Sequence, residues 1–215
     1  MTQAEKNREI LTELERLYPD AKPALHYDNA YQLLVAVILS AQCTDVKVNM
    51  VTPALFAAYP DAAAMAKATA EEIEPYIKTC GIYRNKAKNL VLTARALTER
   101  YGGEVPADHA KLTELPGVGR KTANVVMSCA FGADAIAVDT HVFRVSNRLG
   151  LADAGDVLRT EEQLMLNIPK NKWSLAHHLI IFHGRRVCAA RKPNCESCTL
   201  SAWCEYANGN PKGKK

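Results

Sequence analysis

Apolar residues recur along this chain at intervals of three and four, the spacing of helices that bury one face. The first such face consists of Ile10, Leu11, Leu14 and Leu17. The same pattern and its capping residues predict further helices at 31–42, 85–101, 108–115, 120–131, 139–149, 161–168 and 174–187. A capping box at Thr69 and Glu72 opens one more, which Pro75 keeps short or kinked. Only 135–138 could form a strand, and without a partner strand it is expected to be a linker, so the predicted fold class is all-α.

Composition and charge leave this prediction unchanged. The 215 residues are 48% hydrophobic and 23% charged, which excludes general disorder. The N-terminal segment mixes both charge signs, unlike a signal peptide, and the longest apolar run, 33–39, is too short to cross a bilayer. A net charge of +4 permits nucleic-acid binding without requiring it. We therefore expect a cytoplasmic protein with no membrane association, whose basic end, 208–215, is frayed.

The most informative turn is Leu-Pro-Gly-Val-Gly-Arg-Lys-Thr at 115–122. Gly117, Val118 and Gly119 allow a tight turn between two helices, and the first amides of the second helix then have no partner. Those amides and the positive end of the helix dipole favour an anion such as a phosphate. A nucleotide-binding P-loop does not fit, because Arg120 stands where that motif needs glycine and a helix precedes the turn. The plain alternative is a turn that only joins two helices.

Two residues near this turn have both a plain and a chemical interpretation. Lys121 lies in the first turn of its helix, where the dipole and Arg120 disfavour an ammonium ion and favour a nucleophilic amine. By itself, such a lysine more often contacts phosphate. Asp139 stands before Thr140, where an aspartate is a good helix N-cap and commonly nothing more.

Four cysteines lie close together near the C-terminus, with a spacing that indicates one metal centre: Cys188, Cys195, Cys198 and Cys204. Only the second and third form a CxxC pair, whereas zinc sites usually have two such pairs, so spacing alone leaves zinc and iron–sulfur open. The other three, Cys43, Cys80 and Cys129, lie in apolar stretches and are interpreted as small buried residues. The absence of a secretory signal argues against a disulfide framework, and an odd number of cysteines makes complete pairing impossible.

Leu-Pro-Gly-Val-Gly-Arg-Lys-Thr-Ala followed by Ala-Val-Asp-Thr-His resembles the endonuclease III family of helix-hairpin-helix DNA repair enzymes, and the resemblance extends over essentially the whole chain. It implies that Lys121 attacks C1′ of a damaged nucleotide and expels the base, while Asp139 assists and stabilises positive charge on the sugar. An amine nucleophile gives a Schiff base, which permits β-elimination 3′ to the abasic site. The resemblance therefore implies a glycosylase that is also an AP lyase.

The same resemblance implies the remaining site. It favours a 4Fe-4S cluster on the four C-terminal cysteines, and two helical lobes, 23–133 and 1–22 plus 134–215. Gln42 and Ile82 are expected to fill the gap left by a flipped nucleotide. The other expected DNA contacts are Gly117, Val118, Gly119, Arg120, Thr122, His141, Arg191 and Lys192.

The implied partner is double-stranded DNA that contains damaged bases, in particular oxidised pyrimidines, or abasic sites, bound by a monomer. Two alternatives are weighed against it. An adenine-mismatch glycosylase typically lacks the hairpin lysine and has a catalytic glutamate in the helix at 31–42, where this chain has none. A non-catalytic helix-hairpin-helix module would bind DNA without forming a covalent adduct.

Overall fold

The computed structural model describes residues 1–209. Regular structure within that range is entirely helical, which confirms the predicted all-α class, and 132–139, which includes the possible strand at 135–138, has no regular structure. The chain divides into two compact units, Pro23–Ala133 and Met1–Lys22 with Asp134–Lys215. Most of the predicted frayed tail, residues 210–215, lies outside the described residues.

In the first unit, Pro23–Ala133, helix α2 (Ala30–Ser40) is almost completely enclosed, since Leu33 to Leu39 are all buried. Asn29 begins this helix by accepting a hydrogen bond from the backbone N–H of Gln32 at 2.9 Å. The helices of this unit are α2 Ala30–Ser40, α3 Asp45–Ala58, α4 Ala62–Ala66, α5 Ala70–Ile77, α6 Tyr83–Tyr101, α7 His109–Thr113 and α8 Arg120–Phe131.

Several details of this unit differ from the sequence prediction, which also contained no helix at Ala62–Ala66. The helix predicted at 31–42 corresponds to α2, which ends earlier, at Ser40, because Gln42 has a left-handed backbone with φ 52°. Helix α3 was not predicted, since Val46 and Met50 on its exposed side obscure the pattern made by its buried residues.

The second unit, formed by the chain termini, buries the predicted face of its N-terminal helix, with Ile10, Leu11 and Leu14 in the core. Helix α10 (Val157–Asn167) begins four residues before the predicted start, with Asp156 as its N-cap. The apolar residues of its first turn, Val157 and Leu158, are exposed and so lie outside the buried face on which the prediction was based. None of the helices in the described part of the chain is long and apolar enough to cross a membrane. The helices of this unit are α1 Gln3–Leu17, α9 Thr140–Leu149, α10 Val157–Asn167 and α11 Trp173–Arg186, with single 3-10 turns at Lys170–Lys172 and Ser201–Trp203.

Candidate functional site

The turn between α7 and α8 is tight and requires glycine at its first position. Gly117 has φ 77°, and a Cβ at this residue would lie 2.9 Å from Nδ2 of Asn89. The backbone N–H of Val118 donates to the carbonyl of Leu115 at 3.1 Å, which closes the turn. The Thr93 hydroxyl donates to the carbonyl of residue 116 at 2.6 Å and attaches the turn to α6. The turn is therefore fixed from two sides.

The start of α8 presents backbone amides that no side chain caps. Its N-cap is Gly119, which has no capping side chain, and a Cβ at that residue would meet nothing within 4 Å. Val118 is buried and anchors the turn, whereas Arg120 is exposed and Lys121 and Thr122 are half-buried in the first turn of the helix. This end of α8 can therefore accept an anion, with two cationic side chains beside it.

Asp139 lies in the second unit and is the N-cap of α9. Its Oδ1 accepts a hydrogen bond from the backbone N–H of Val142 at 2.8 Å. The preceding residues 136–138 are buried and fix the half-buried aspartate at the helix start. Asp139 therefore does act as a helix N-cap, and the oxygen that caps the helix is Oδ1, whereas Oδ2 takes no part in the cap.

His141 follows in the first turn of α9 and is half-buried. Its Nδ1 lies 3.2 Å from Nη2 of Arg144. Burial lowers the pKa of His141, although the nearby Asp139 acts in the opposite direction. Burial thus favours the neutral form of the imidazole.

Gln42 and Ile82 share an unusual backbone conformation. Both are left-handed, with φ 52° and 57°, which is rare for a residue with a side chain and strained for β-branched isoleucine. Both are exposed, and Ile82 is 54% exposed. A Cβ at Gly81 would lie 3.0 Å from the carbonyl oxygen of Gln42, so the two turns touch through their backbones. Two strained, neighbouring turns thus hold these side chains in solvent.

Sequence analysis missed the cationic residues beside Ile82. An open pocket at the start of α6 is lined by Ile82, Tyr83, Arg84, Asn85 and Lys88. Both cations are exposed, and Arg84 lies 4.0 Å from Glu74 and over the ring of Tyr83, 5.6 Å from its centroid. The available signal was the pair of cations four residues apart directly after Gly-Ile-Tyr, a spacing that places both on one side of a helix.

The four C-terminal cysteines line one cavity in the second unit. Cys188 and Cys204 are buried, and Cys195 and Cys198 are half-buried. Much of the remaining wall is apolar and includes Leu149, Val187 and Pro193. Among residues 1–209, no three His, Cys, Asp or Glu side chains converge closely enough to hold a single metal ion. The four thiols nevertheless line the same cavity, so a metal centre held by these cysteines would lie there.

Hydrogen-bond partners surround these thiols. Nη1 of Arg148 donates to Sγ of Cys188 at 3.4 Å, and Nε2 of His183 lies 3.7 Å from Sγ of Cys198. The Tyr18 hydroxyl is 2.9 Å from Nδ1 of the same histidine, which fixes the direction of the ring. Burial raises the pKa of the Cys198 and Cys204 thiols, because a buried thiolate loses its solvation.

The loop after the first of these cysteines carries two exposed cations, Arg191 and Lys192. Lys192 is left-handed, with φ 51°. Arg148 holds the start of the loop through the carbonyls of Ala189 and Ala190 at 2.8 and 3.0 Å. Its cations are therefore presented to solvent from a fixed backbone.

Comparison with known proteins gives consistent matches. Residues 35–170 match the HhH-GPD superfamily of base excision DNA repair proteins. The chain is 53% identical to endonuclease III of Synechocystis sp. over 203 residues, 94% of this chain and 93% of that protein. It is 48% identical to endonuclease III of Escherichia coli K12 over 201 residues, covering 94% and 95%. A solved structure of a trapped endonuclease III–DNA covalent intermediate superposes with a TM-score of 0.92 at 48% identity, covering 97% of this chain and 98% of that one.

Proposed function

This chain belongs to the HhH-GPD superfamily of base excision DNA repair proteins and, within it, to the endonuclease III family, and from that premise we propose how its residues act. The protein is a DNA glycosylase and AP lyase. In the proposed reaction, Nζ of Lys121 attacks C1′ of the damaged nucleotide and the bond to the base breaks. The resulting Schiff base acidifies the C2′ hydrogen, and its loss expels the 3′ phosphate. The observation that carries this assignment is the position of Lys121 in the uncapped first turn of α8.

Asp139 completes the proposed chemistry. Base departure leaves positive charge on the sugar, and a carboxylate stabilises such a charge. Oδ1 caps α9, and Oδ2 is the oxygen that we assign to the reaction. The cap makes the carboxylate an oriented group rather than a freely rotating one.

We propose that the turn between α7 and α8 binds a phosphate of one DNA strand. Substituting its two glycines one at a time separates the effect on stability from the effect on DNA binding. Gly117→Ala should lower the free energy of unfolding by about 1–2 kcal/mol, because an alanine is strained at φ 77° and meets Asn89. Gly119→Ala should change stability by less than about 1 kcal/mol, since its Cβ enters open space. It should nevertheless weaken DNA binding, because that space is where the phosphate sits. Thermal unfolding measures the stability of both variants, and fluorescence anisotropy with duplex DNA measures their binding. Equal stability of the two variants, or unchanged binding by Gly119→Ala, would contradict the assignment.

Gln42 and Ile82 are proposed to enter the duplex and fill the space of the extruded nucleotide. Ile82→Gly should preserve or raise stability, because glycine adopts φ 57° without strain and the exposed side chain loses little burial. The preference for damaged over undamaged duplex should fall at least severalfold. Binding titrations with damaged and undamaged duplexes measure this preference. The control variant is Leu92→Gly, a change on the exposed side of α6. A preference that survives Ile82→Gly would remove this residue from the site.

We propose that a 4Fe-4S cluster occupies the cavity of the four C-terminal cysteines. When bound, it cross-links a segment with little regular structure, and we derive no catalytic step from it. Cys198→Ser should therefore lose most of its iron and sulfide, whereas Cys129→Ser, a change in the other unit, should retain both. Elemental analysis checks this prediction. Stoichiometric zinc in the purified protein, with no iron, would contradict it.

The proposed substrate is a duplex with an oxidised pyrimidine or an abasic site, bound by a monomer in the cytoplasm at the nucleoid. Arg84, Lys88, His141, Arg191 and Lys192 are proposed as further DNA contacts. The test is borohydride reduction during reaction with a panel of duplexes, each with one defined lesion. A stable protein–DNA adduct should form with oxidised pyrimidines and with abasic sites. Intact strands and no adduct on any duplex would overturn the proposed chemistry.

A further inference from the structure

Two cysteines outside the C-terminal cavity lie beside each other where the two strained turns meet. Cys43 follows Gln42, and Cys80 precedes Gly81. The backbones of these turns touch, since a Cβ at Gly81 would be 3.0 Å from the carbonyl oxygen of Gln42. The Cys80 thiol donates a hydrogen bond to Sγ of Cys43, which raises the pKa of Cys80. The fold therefore places two thiols face to face from segments that are distant in sequence.

A buried cation lies next to this pair. Lys86 in α6 is buried, and its Nζ donates to the carbonyl of Leu39 at 2.8 Å. Burial lowers its pKa, and the neighbouring Cys43 and Cys80 oppose that shift. A nearby ammonium ion stabilises a thiolate, the reactive form of cysteine.

The two thiols differ in access to solvent. Cys80 is 1% exposed, and burial raises its pKa to about 11. Cys43 is only partly buried; of the three cysteines predicted to be buried, only Cys80 is, since Cys129 is also partly buried. A small oxidant in water therefore reaches Cys43 first, and Cys80 is positioned to react with the product.

We propose that Cys43 and Cys80 form an oxidisable pair that a peroxide converts into a disulfide. The Cys43 thiolate attacks one oxygen of hydrogen peroxide, the O–O bond breaks, and the released hydroxide takes up the thiol proton to give water. Cys43 is then a sulfenic acid. The Cys80 sulfur attacks Cys43 Sγ, the S–S bond forms, and the S–O bond breaks as the hydroxyl leaves with the Cys80 proton as a second water. The two sulfurs lose two electrons, and the peroxide gains them.

The disulfide would connect the Gln42 turn covalently to the Ile82 turn. Its sulfurs must come to about 2.05 Å, closer than the sulfurs of two hydrogen-bonded thiols. Both turns are then restrained at once. The expected effect on DNA rests on the proposed role of Gln42 and Ile82 in the duplex, because side chains that insert together must be able to adjust.

The disulfide itself is tested on the iron-loaded protein with a small excess of hydrogen peroxide, followed by digestion without reductant and mass spectrometry. The tryptic peptide 79–84 should be joined to the peptide that contains Cys43, and dithiothreitol should separate them. Cys43→Ser and Cys80→Ser should give no such link, while Cys129→Ser should retain it. Peptides that stay separate, or a link found only in protein that has lost its iron, would overturn the proposal.

A second measurement separates this proposal from the proposed function. The linked protein should bind a duplex with an abasic site at least severalfold more weakly than the reduced protein, and reductant should restore binding. Cys43→Ser should be insensitive to peroxide in the same assay. Unchanged binding by the linked protein would overturn the effect on DNA and leave the disulfide in place. Failure of the borohydride test would reject the glycosylase chemistry without affecting the link.

Discussion

Replacing Lys121 by alanine should abolish both base release and strand cleavage while leaving most of the affinity for DNA. The amine is the proposed nucleophile for both steps, and loss of a covalent nucleophile lowers a rate by a factor on the order of 10⁴ or more. Binding should persist because the anion site at the start of α8 consists of backbone amides, which the substitution leaves in place. Single-turnover assays on an oxidised-pyrimidine duplex measure the rate, and anisotropy titrations measure the affinity.

Lys67→Ala is a matched control for this experiment, since Lys67 is an exposed lysine of the same unit at the end of α4. It should react and bind like the wild type. The affinity of both variants should fall steeply with salt, because binding to phosphates releases counterions. Cleavage or borohydride trapping that persists in Lys121→Ala would assign the nucleophile to another residue.

The parts of the fold that were predicted correctly are the helices whose first and last residues are marked by capping residues in the sequence. Helix α8 was predicted to the residue, because Gly119 begins it and the left-handed Gly132 ends it. Helix α3 was missed because its exposed Val46 and Met50 carry the same apolar signal as its core residues. Which apolar residues are buried depends on packing against other helices, and no short window of sequence contains that information.

In the candidate site, too, residues in short sequence motifs were predicted, and residues brought together only by packing were not. Lys121, Asp139 and the four C-terminal cysteines belong to short motifs whose spacing is visible in the sequence. The facing thiols of Cys43 and Cys80 were not visible, because tertiary packing alone brings the two turns together. The choice between zinc and iron–sulfur was also open on spacing, since four cysteines can bind either one.

Asp139→Asn should lower the rate of base release by about 10²- to 10³-fold, the scale of losing one oriented electrostatic group. Asparagine is as good an N-cap as aspartate, so the free energy of unfolding should change little. The variant thus removes the charge and retains the cap at Val142. Asp139→Ala removes both, and it should lose about 1 kcal/mol of stability in addition to the same loss of rate.

The matched control is Asp156→Asn, because Asp156 caps α10 in the same unit through an equivalent 2.8 Å bond to the backbone N–H of Arg159. This variant should retain both stability and rate. Single-turnover base release and thermal unfolding, measured on all three variants, distinguish the two roles of Asp139. A wild-type rate in Asp139→Asn would mean that the residue only caps its helix, and the charge on the sugar would then have to be stabilised by another group.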